Sequence, residues 1–203
     1  MGYYVLAAVI GYFVGNFSPS YLLGRFCRDI DIRNYGSGNA GTTNAMRVLG
    51  TKTGLIVFLC DVLKGAVATW LGMQLTSGSL AGGAISGCMA VIGHNWPCLL
   101  RFRGGKGIAC SFGLILVLFP TIGLILFLLL IALVLTTRYM SLGSISAAVL
   151  FPVLLAIFRK PPEMILVGVF LALLALLRHK GNIKRLLNGQ ENKFSFSKSG
   201  KNI

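Results

Sequence analysis

Six stretches almost free of charge constrain this chain more than anything else in it: Tyr3 to Gly24, Gly54 to Leu75, Ser79 to Leu100, Gly107 to Thr137, Tyr139 to Phe158 and Met164 to Leu177. A bilayer core of ~30 Å takes about 20 helical residues, so most of these stretches are long enough to cross it. With 55% hydrophobic and 12% charged residues and a mean hydropathy of +0.79, the chain has too little polar surface to face water on all sides. The expected fold is an all-α integral membrane protein, a polytopic helical bundle. The stretch from Gly107 to Thr137 is too long for one upright helix and carries Pro120-Thr121, a natural break. Splitting it there gives seven transmembrane helices, with five as the alternative. Its first half, Gly107 to Leu118, would be only ~18 Å long, a short or re-entrant helix. Tyr3 to Gly24 has no basic flank and no clear cleavage site, and is expected to be a retained helix rather than a secretory signal.

Orientation follows from 19 Lys and Arg against 5 Asp and Glu, a net charge of +14. Basic residues mark the cytoplasmic side. Arg25, Arg28, Arg33, Arg47 and Lys52 fill the first connection and Arg101, Arg103 and Lys106 the third. Arg178, Lys180, Lys184, Arg185, Lys193, Lys198 and Lys201 fill the tail. Segments 25–53, 93–109 and 178–203 are therefore expected in the cytoplasm and the N-terminus outside. Arg159 and Lys160 then fall on the outer side, against the rule. No repeat or linker divides residues 1–203, so one polytopic domain is expected. The basic excess suits anionic headgroups or phosphorylated substrates, not nucleic acid. Cys27, Cys60, Cys88, Cys98 and Cys110 show no metal-ligand spacing; no disulfide and no metal are expected. Gly11 to Gly15 and Gly83 to Gly87 are spaced for close helix approach.

Two glycine-rich connections carry the candidate chemistry. The first reads Gly36-Ser37-Gly38-Asn39-Ala40-Gly41-Thr42-Thr43-Asn44, followed by Arg47. Small residues let backbone N–H groups converge, hydroxyls and amides add donors, and a helix starting near Thr43 would aim its positive end at an anion. That is a phosphate cradle, though not the lysine-bearing loop of nucleotide hydrolases. The other reads His94-Asn95-Trp96-Pro97 and then Gly104-Gly105-Lys106-Gly107 before an apolar helix, again combining exposed N–H groups, a helix N-terminus and a point charge. In the tail, His179 and Asn182 are three apart and able to point together; Ile183, Leu186 and Leu187 give an apolar helical face that stops at Gly189. Asp61 and Lys64 lie three apart inside the second stretch. They suit a mutual ion pair supporting the site, or else direct substrate contact.

The acids Asp29, Asp31, Asp61, Glu163 and Glu191 form no evident acid–base pair, and there is no G-x-S-x-G elbow. Neither His94 nor His179 heads an H-x-x-x-x-D signature, as soluble-donor glycerolipid acyltransferases require. Chemistry by positioning of two anionic reactants remains.

Gly36 to Gly50 (GSGNAGTTNAMRVLG), Gly93 to Ala109 (GHNWPCLLRFRGGKGIA) and Arg178 to Glu191 (RHKGNIKRLLNGQE), with Asp61 to Ala66 (DVLKGA), together resemble the bacterial acyl-phosphate:glycerol-3-phosphate acyltransferases over essentially the whole chain. Thr42, Arg103 and Cys110 depart from the usual residues, and Gly15-Asn16-Phe17-Ser18-Pro19 displaces a proline by one position. The resemblance implies transfer of a fatty acyl group from acyl-phosphate to the 1-hydroxyl of glycerol 3-phosphate, giving lysophosphatidic acid and phosphate, at a bacterial cell membrane and without a cofactor. It implies that the Ser37 loop and Lys106 hold phosphate, that Arg47, His179 and Asn182 orient glycerol 3-phosphate, and that Glu191 is structural. His94, His179 or a substrate phosphate oxygen would take the hydroxyl proton, the last being preferred. A transporter of an organic phosphate is the rival; a carrier would ordinarily show internal repeats, and none is evident.

Overall fold

The computed structural model describes residues 1–194, and all regular structure among them is helical. Lys198 and Lys201, counted on the tail, lie outside the described residues. Ten α-helices follow in order: α1 Gly2–Asn16, α2 Pro19–Arg28, α3 Thr42–Leu49, α4 Thr51–Leu75, α5 Leu80–Asn95, α6 Ile108–Leu118, α7 Pro120–Thr137, α8 Met140–Ile157, α9 Pro162–Arg178 and α10 Lys180–Leu187. Four segments are long and apolar enough to cross a membrane: Gly2–Arg28, Thr51–Leu75, Pro120–Thr137 and Met140–Ile157. A fifth is added if α9 and α10, bent by 65°, count together. At 16 and 11 residues, α5 and α6 span about 24 and 17 Å, less than the hydrocarbon core.

Prolines set the breaks. Pro120 opens α7 one residue after α6 ends, as the sequence predicts, because a first-turn proline loses no helical hydrogen bond. The first apolar stretch, expected as one helix, is two: α1 stops at Asn16 and Pro19 starts α2. Likewise the stretch ending at Leu100 leaves its helix at Asn95, ahead of Pro97, since a residue before proline is pushed out of helical geometry.

The described chain makes two compact units, residues 1–114 and 115–194. In the first, glycines bring helices to backbone contact. A Cβ at Gly11 would overlap the Ser86 carbonyl and one at Gly15 the Ala90 carbonyl, a succession that makes α1 and α5 parallel. Across α4, Gly72 meets Gly82 and Gly87 meets Thr69, so α4 is antiparallel to α5. Ile32, Ala45, Val48, Leu49 and Val57 form a buried cluster that seats the first connection and α3 on α4. Burying one such side chain contributes roughly 1.5–3 kcal/mol.

In the second unit α7, α8 and α9 pack in sequence, with a left-handed Arg138 closing α7. Pro152 sits inside α8, and α9 approaches it through Gly168. The tail is tied back where the Phe194 N–H donates to the Arg138 carbonyl at 2.6 Å.

Candidate functional site

The first connection is built around Asn44, which is 1% exposed. Its Oδ1 accepts from the Ser37 N–H at 2.8 Å, and its Nδ2 donates to the Ile32 and Tyr35 carbonyls, both at 3.1 Å. Asn44 therefore shapes the loop with its side chain instead of offering it to an anion, contrary to its expected role as a donor. Gly36 and Gly38 take left-handed backbone angles, φ 60° and 70°, and a Cβ at Gly36 would overlap Asn44 Oδ1. The first helical bond of α3 runs from the Ala45 N–H to the Gly41 carbonyl at 3.0 Å. The amides of Thr42, Thr43 and Asn44 precede it and have no acceptor within the helix. No side chain caps this end, and the buried Thr42 Oγ1 makes no hydrogen bond among the described residues. Arg47 lies one turn on from Thr43, half-buried and paired with no described carboxylate, while Ser37 is exposed and Asn39 half-buried at the loop's rim.

Arg33 locks this connection to the next. It grips Asp31 through Nε at 2.9 Å and Nη2 at 2.7 Å, donates from Nη1 to the Leu100 carbonyl at 2.7 Å, and lies 5.1 Å from the Tyr21 ring centroid. The Arg33 hydrogen bonds hold the Asp31 carboxyl below the ordinary carboxylate range. The sequence marked Arg33 only as one basic residue among several.

The second glycine-rich connection differs from expectation. The Gly104 N–H donates to the Asn95 carbonyl at 3.3 Å and the Gly105 N–H to the His94 carbonyl at 3.0 Å, so both close the end of α5 and do not face an anion. Their lack of side chains is steric: a Cβ at Gly104 would overlap the His94 carbonyl and one at Gly105 His94 Nε2. Gly107, at φ 81°, turns the chain into α6, whose first bond is Ser111 N–H to the Gly107 carbonyl at 2.7 Å. The Ile108, Ala109 and Cys110 amides thus lead the helix beside half-buried Lys106.

Asp61, Lys64 and His94 meet in the interior of this unit, 1%, 5% and 6% exposed. Lys64 Nζ lies 2.8 Å from Asp61 Oδ1, 2.7 Å from His94 Nδ1 and 2.6 Å from the Phe17 carbonyl at the α1–α2 break. An ammonium has donors and no acceptor, so where it meets His94 the Nδ1 must accept, while Asp61 is held as an ion pair whose Oδ1 makes no hydrogen bond among the described residues and lies 3.4 Å from His94 Nδ1. That favours the ion pair over direct substrate contact. It also puts the His94 proton on Nε2, which makes His94 a donor there and no base.

In the second unit His179 sits at the 65° bend between α9 and α10, 3% exposed. Its Nδ1 is 2.8 Å from the Ala175 carbonyl, so Nδ1 carries a proton and donates, the reverse of His94. Three residues on, Asn182 donates from Nδ2 to Glu191 Oε1 at 2.6 Å. Glu191 also accepts from Ser141 Oγ at 2.9 Å and Arg185 Nε at 2.8 Å. Burial alone would raise the Glu191 pKa; those hydrogen bonds and the Arg185 charge prevail and hold it below its ordinary value. Ser141 was missed from sequence, where nothing separates it from Ser144.

The glycerol-3-phosphate acyltransferase family model matches residues 5–189. Glycerol-3-phosphate acyltransferases of Thermoanaerobacter pseudethanolicus and Alkaliphilus metalliredigens are similar, at 47% identity over 94% of this chain and 96% of theirs, and 41% over 93% and 95%. Among solved structures, PlsY (YgiH), described as an integral membrane glycerol 3-phosphate acyltransferase, is similar in its glycerol 3-phosphate form. It matches with a TM-score of 0.89 and 32% identity over 95% of this chain and 96% of its own. Its lysophosphatidic acid form matches with a TM-score of 0.86. Two glycine-rich connections, the buried charge cluster and the His179–Asn182 tail thus sit in a chain alike over nearly its whole length, and it belongs to the glycerol-3-phosphate acyltransferase family.

Proposed function

We propose that the protein moves a fatty acyl group from acyl-phosphate to the 1-hydroxyl of sn-glycerol 3-phosphate, releasing lysophosphatidic acid and phosphate, the first step of phospholipid synthesis. The observation that carries this beyond family membership is the start of α3. Three leading amides, a buried hydroxyl on Thr42 and an Arg47 paired with no described carboxylate stand together, with no anion among the described residues to satisfy them. Phosphate is the group such an arrangement suits, and both reactants carry one.

The acyl-phosphate carbonyl is activated already, since phosphate leaves readily. The protein has to align the reactants and shield charge. The Ser37 loop, with Gly36, Gly38, Asn39, Gly41, Thr42 and Thr43, holds phosphate together with Lys106, which Gly104, Gly105 and Gly107 present. Arg47, His179 and Asn182 orient glycerol 3-phosphate, and Glu191 steadies Asn182. A substrate phosphate oxygen takes the proton of the attacking hydroxyl, because His94 Nδ1, 3.4 Å from Asp61 Oδ1, is occupied by the Lys64 ammonium and His179 Nδ1 is held by the Ala175 carbonyl.

The chain acts as a single multi-pass domain of the bacterial cell membrane, in support of which one solved structure matches 95% of it. Seven spans are formed by α1 with α2, α4, α5, α6, α7, α8 and α9, with the N-terminus outside and the site and tail cytoplasmic. Parallel α1 and α5 with antiparallel α4 support that alternation.

The experiment is phosphate release by purified protein in lipid, given palmitoyl-phosphate with and without glycerol 3-phosphate, and palmitoyl-CoA as control donor. Release that requires glycerol 3-phosphate, with lysophosphatidic acid formed and the CoA donor inert, is expected. No turnover in a folded sample would overturn the proposal and turn attention to transport of glycerol phosphate into vesicles.

A further inference from the structure

Lys64 sits in the interior of a membrane span, ion-paired with Asp61 and hydrogen-bonded to two further groups. A buried ion pair with Asp61 would need neither of those bonds, and such a pair seldom adds net stability over well-packed apolar residues. The two hydrogen-bonded protons reach out of α4, one to the Phe17 carbonyl at the break of the first span and one to His94 on the last turn of α5. His94 in turn bears on the second glycine-rich connection twice: its carbonyl takes the Gly105 N–H, and its Nε2 fills the space a Gly105 side chain would occupy. Lys106 is the next residue.

We infer that Asp61, Lys64 and His94 form a positioning device for Lys106, in which the Lys64 ammonium fixes the His94 ring and the ring fixes the backbone that presents the Lys106 charge to phosphate. The inference rests on the proposed acyl-transfer role of Lys106. It assigns Lys64 no substrate contact, and it makes His94 a support for the phosphate site where the sequence suggested a ligand. A lysine suits the position because its compact ammonium fits between two acceptors and a carboxylate, which a broad planar guanidinium cannot do.

A double-mutant cycle tests it. Asp61→Asn with Lys64→Met removes both buried charges together, so neither is left unpaired. This pair of changes is combined with Lys106→Ala, and kcat/KM for palmitoyl-phosphate is measured in lipid. The expected result is a loss of about tenfold or more when Lys106 is present and less than about twofold when it is already alanine. Losses that multiply would overturn the inference. A second arm leaves the ion pair intact and does not depend on the charge-removed variant folding. His94→Asn keeps an acceptor near the Nδ1 position and is expected within about threefold of wild type, while His94→Leu loses about tenfold or more. Equal losses for the two would overturn it. Absence of wild-type turnover would instead remove the acyl-transfer reading and this inference with it, an outcome distinct from an active wild type with multiplying losses.

Discussion

Asn182 gives an amide proton to Glu191 across 2.6 Å, and the same carboxylate oxygen accepts from Ser141, so the side chain of Asn182 is held by a residue nine positions on. The pKa of that carboxylate is depressed in the folded protein by its three donors, despite burial. Its stabilising contribution is therefore complete above the ordinary glutamate range and is lost as pH falls through the lower, folded value. The thermal transition of the wild type should drop between about pH 6 and pH 3. Glu191→Gln should start lower and change less over the same interval, and thermal unfolding in lipid at graded pH checks both.

Arg47→Ala and Lys106→Ala should each lower kcat/KM at least a hundredfold, on the order of 3 kcal/mol of transition-state stabilisation. Arg47→Lys should recover only part of the loss, because a point charge does not reproduce a fork of donors. Steady-state kinetics with palmitoyl-phosphate and glycerol 3-phosphate decide this; near-normal rates would remove either residue from the site.

Asn44→Ala should be as damaging as a change at a substrate-binding side chain, although the Asn44 side chain is spent on the loop backbone. It deletes three hydrogen bonds and leaves polar backbone groups without partners, at about 1–3 kcal/mol for each one that stays buried. Asn44→Asp keeps an acceptor for the Ser37 amide but loses both donors, and should not rescue. Activity and thermal stability measured side by side would show both falling in both variants.

Gly105→Ala should destabilise by about 1–3 kcal/mol and lower activity severalfold, since its methyl would meet a His94 ring that Lys64 prevents from moving away. Gly2→Ala has no neighbour within 4 Å and serves as the control, with melting and turnover unchanged.

Much of this was legible in the residues. The apolar stretches gave helices because hydrocarbon tolerates little else, and Pro120 marked a break because proline lacks the proton a continuing helix needs. Asp61 and Lys64 paired because charges in such a place seldom stand alone. What escaped was the use made of backbone groups. A glycine-rich sequence looks the same whether its amides are left without an acceptor inside the helix, as those leading α3 are, or close a neighbouring helix, as Gly104 and Gly105 do. Asn44 similarly looked like a ligand because its amide has the right chemistry, and only the fold shows Ile32 and Tyr35 claiming it. Ser141 gave no local pattern, since its partner lies 50 residues away, and Arg33 showed only its neighbour Asp31, not the Leu100 carbonyl 67 residues on.

The carbonyl of Phe17 finds its donor 47 residues further along the chain. During synthesis, then, the first span enters the membrane with a break it has no means of satisfying alone. The cost of an exposed carbonyl in hydrocarbon falls on the nascent chain until α4 arrives with its lysine, and that lysine is itself unwelcome in lipid until it reaches Phe17, Asp61 and His94. Each segment carries what the other lacks, which makes α1 and α4 partners in insertion, settled only when the end of α5 has emerged to complete the set.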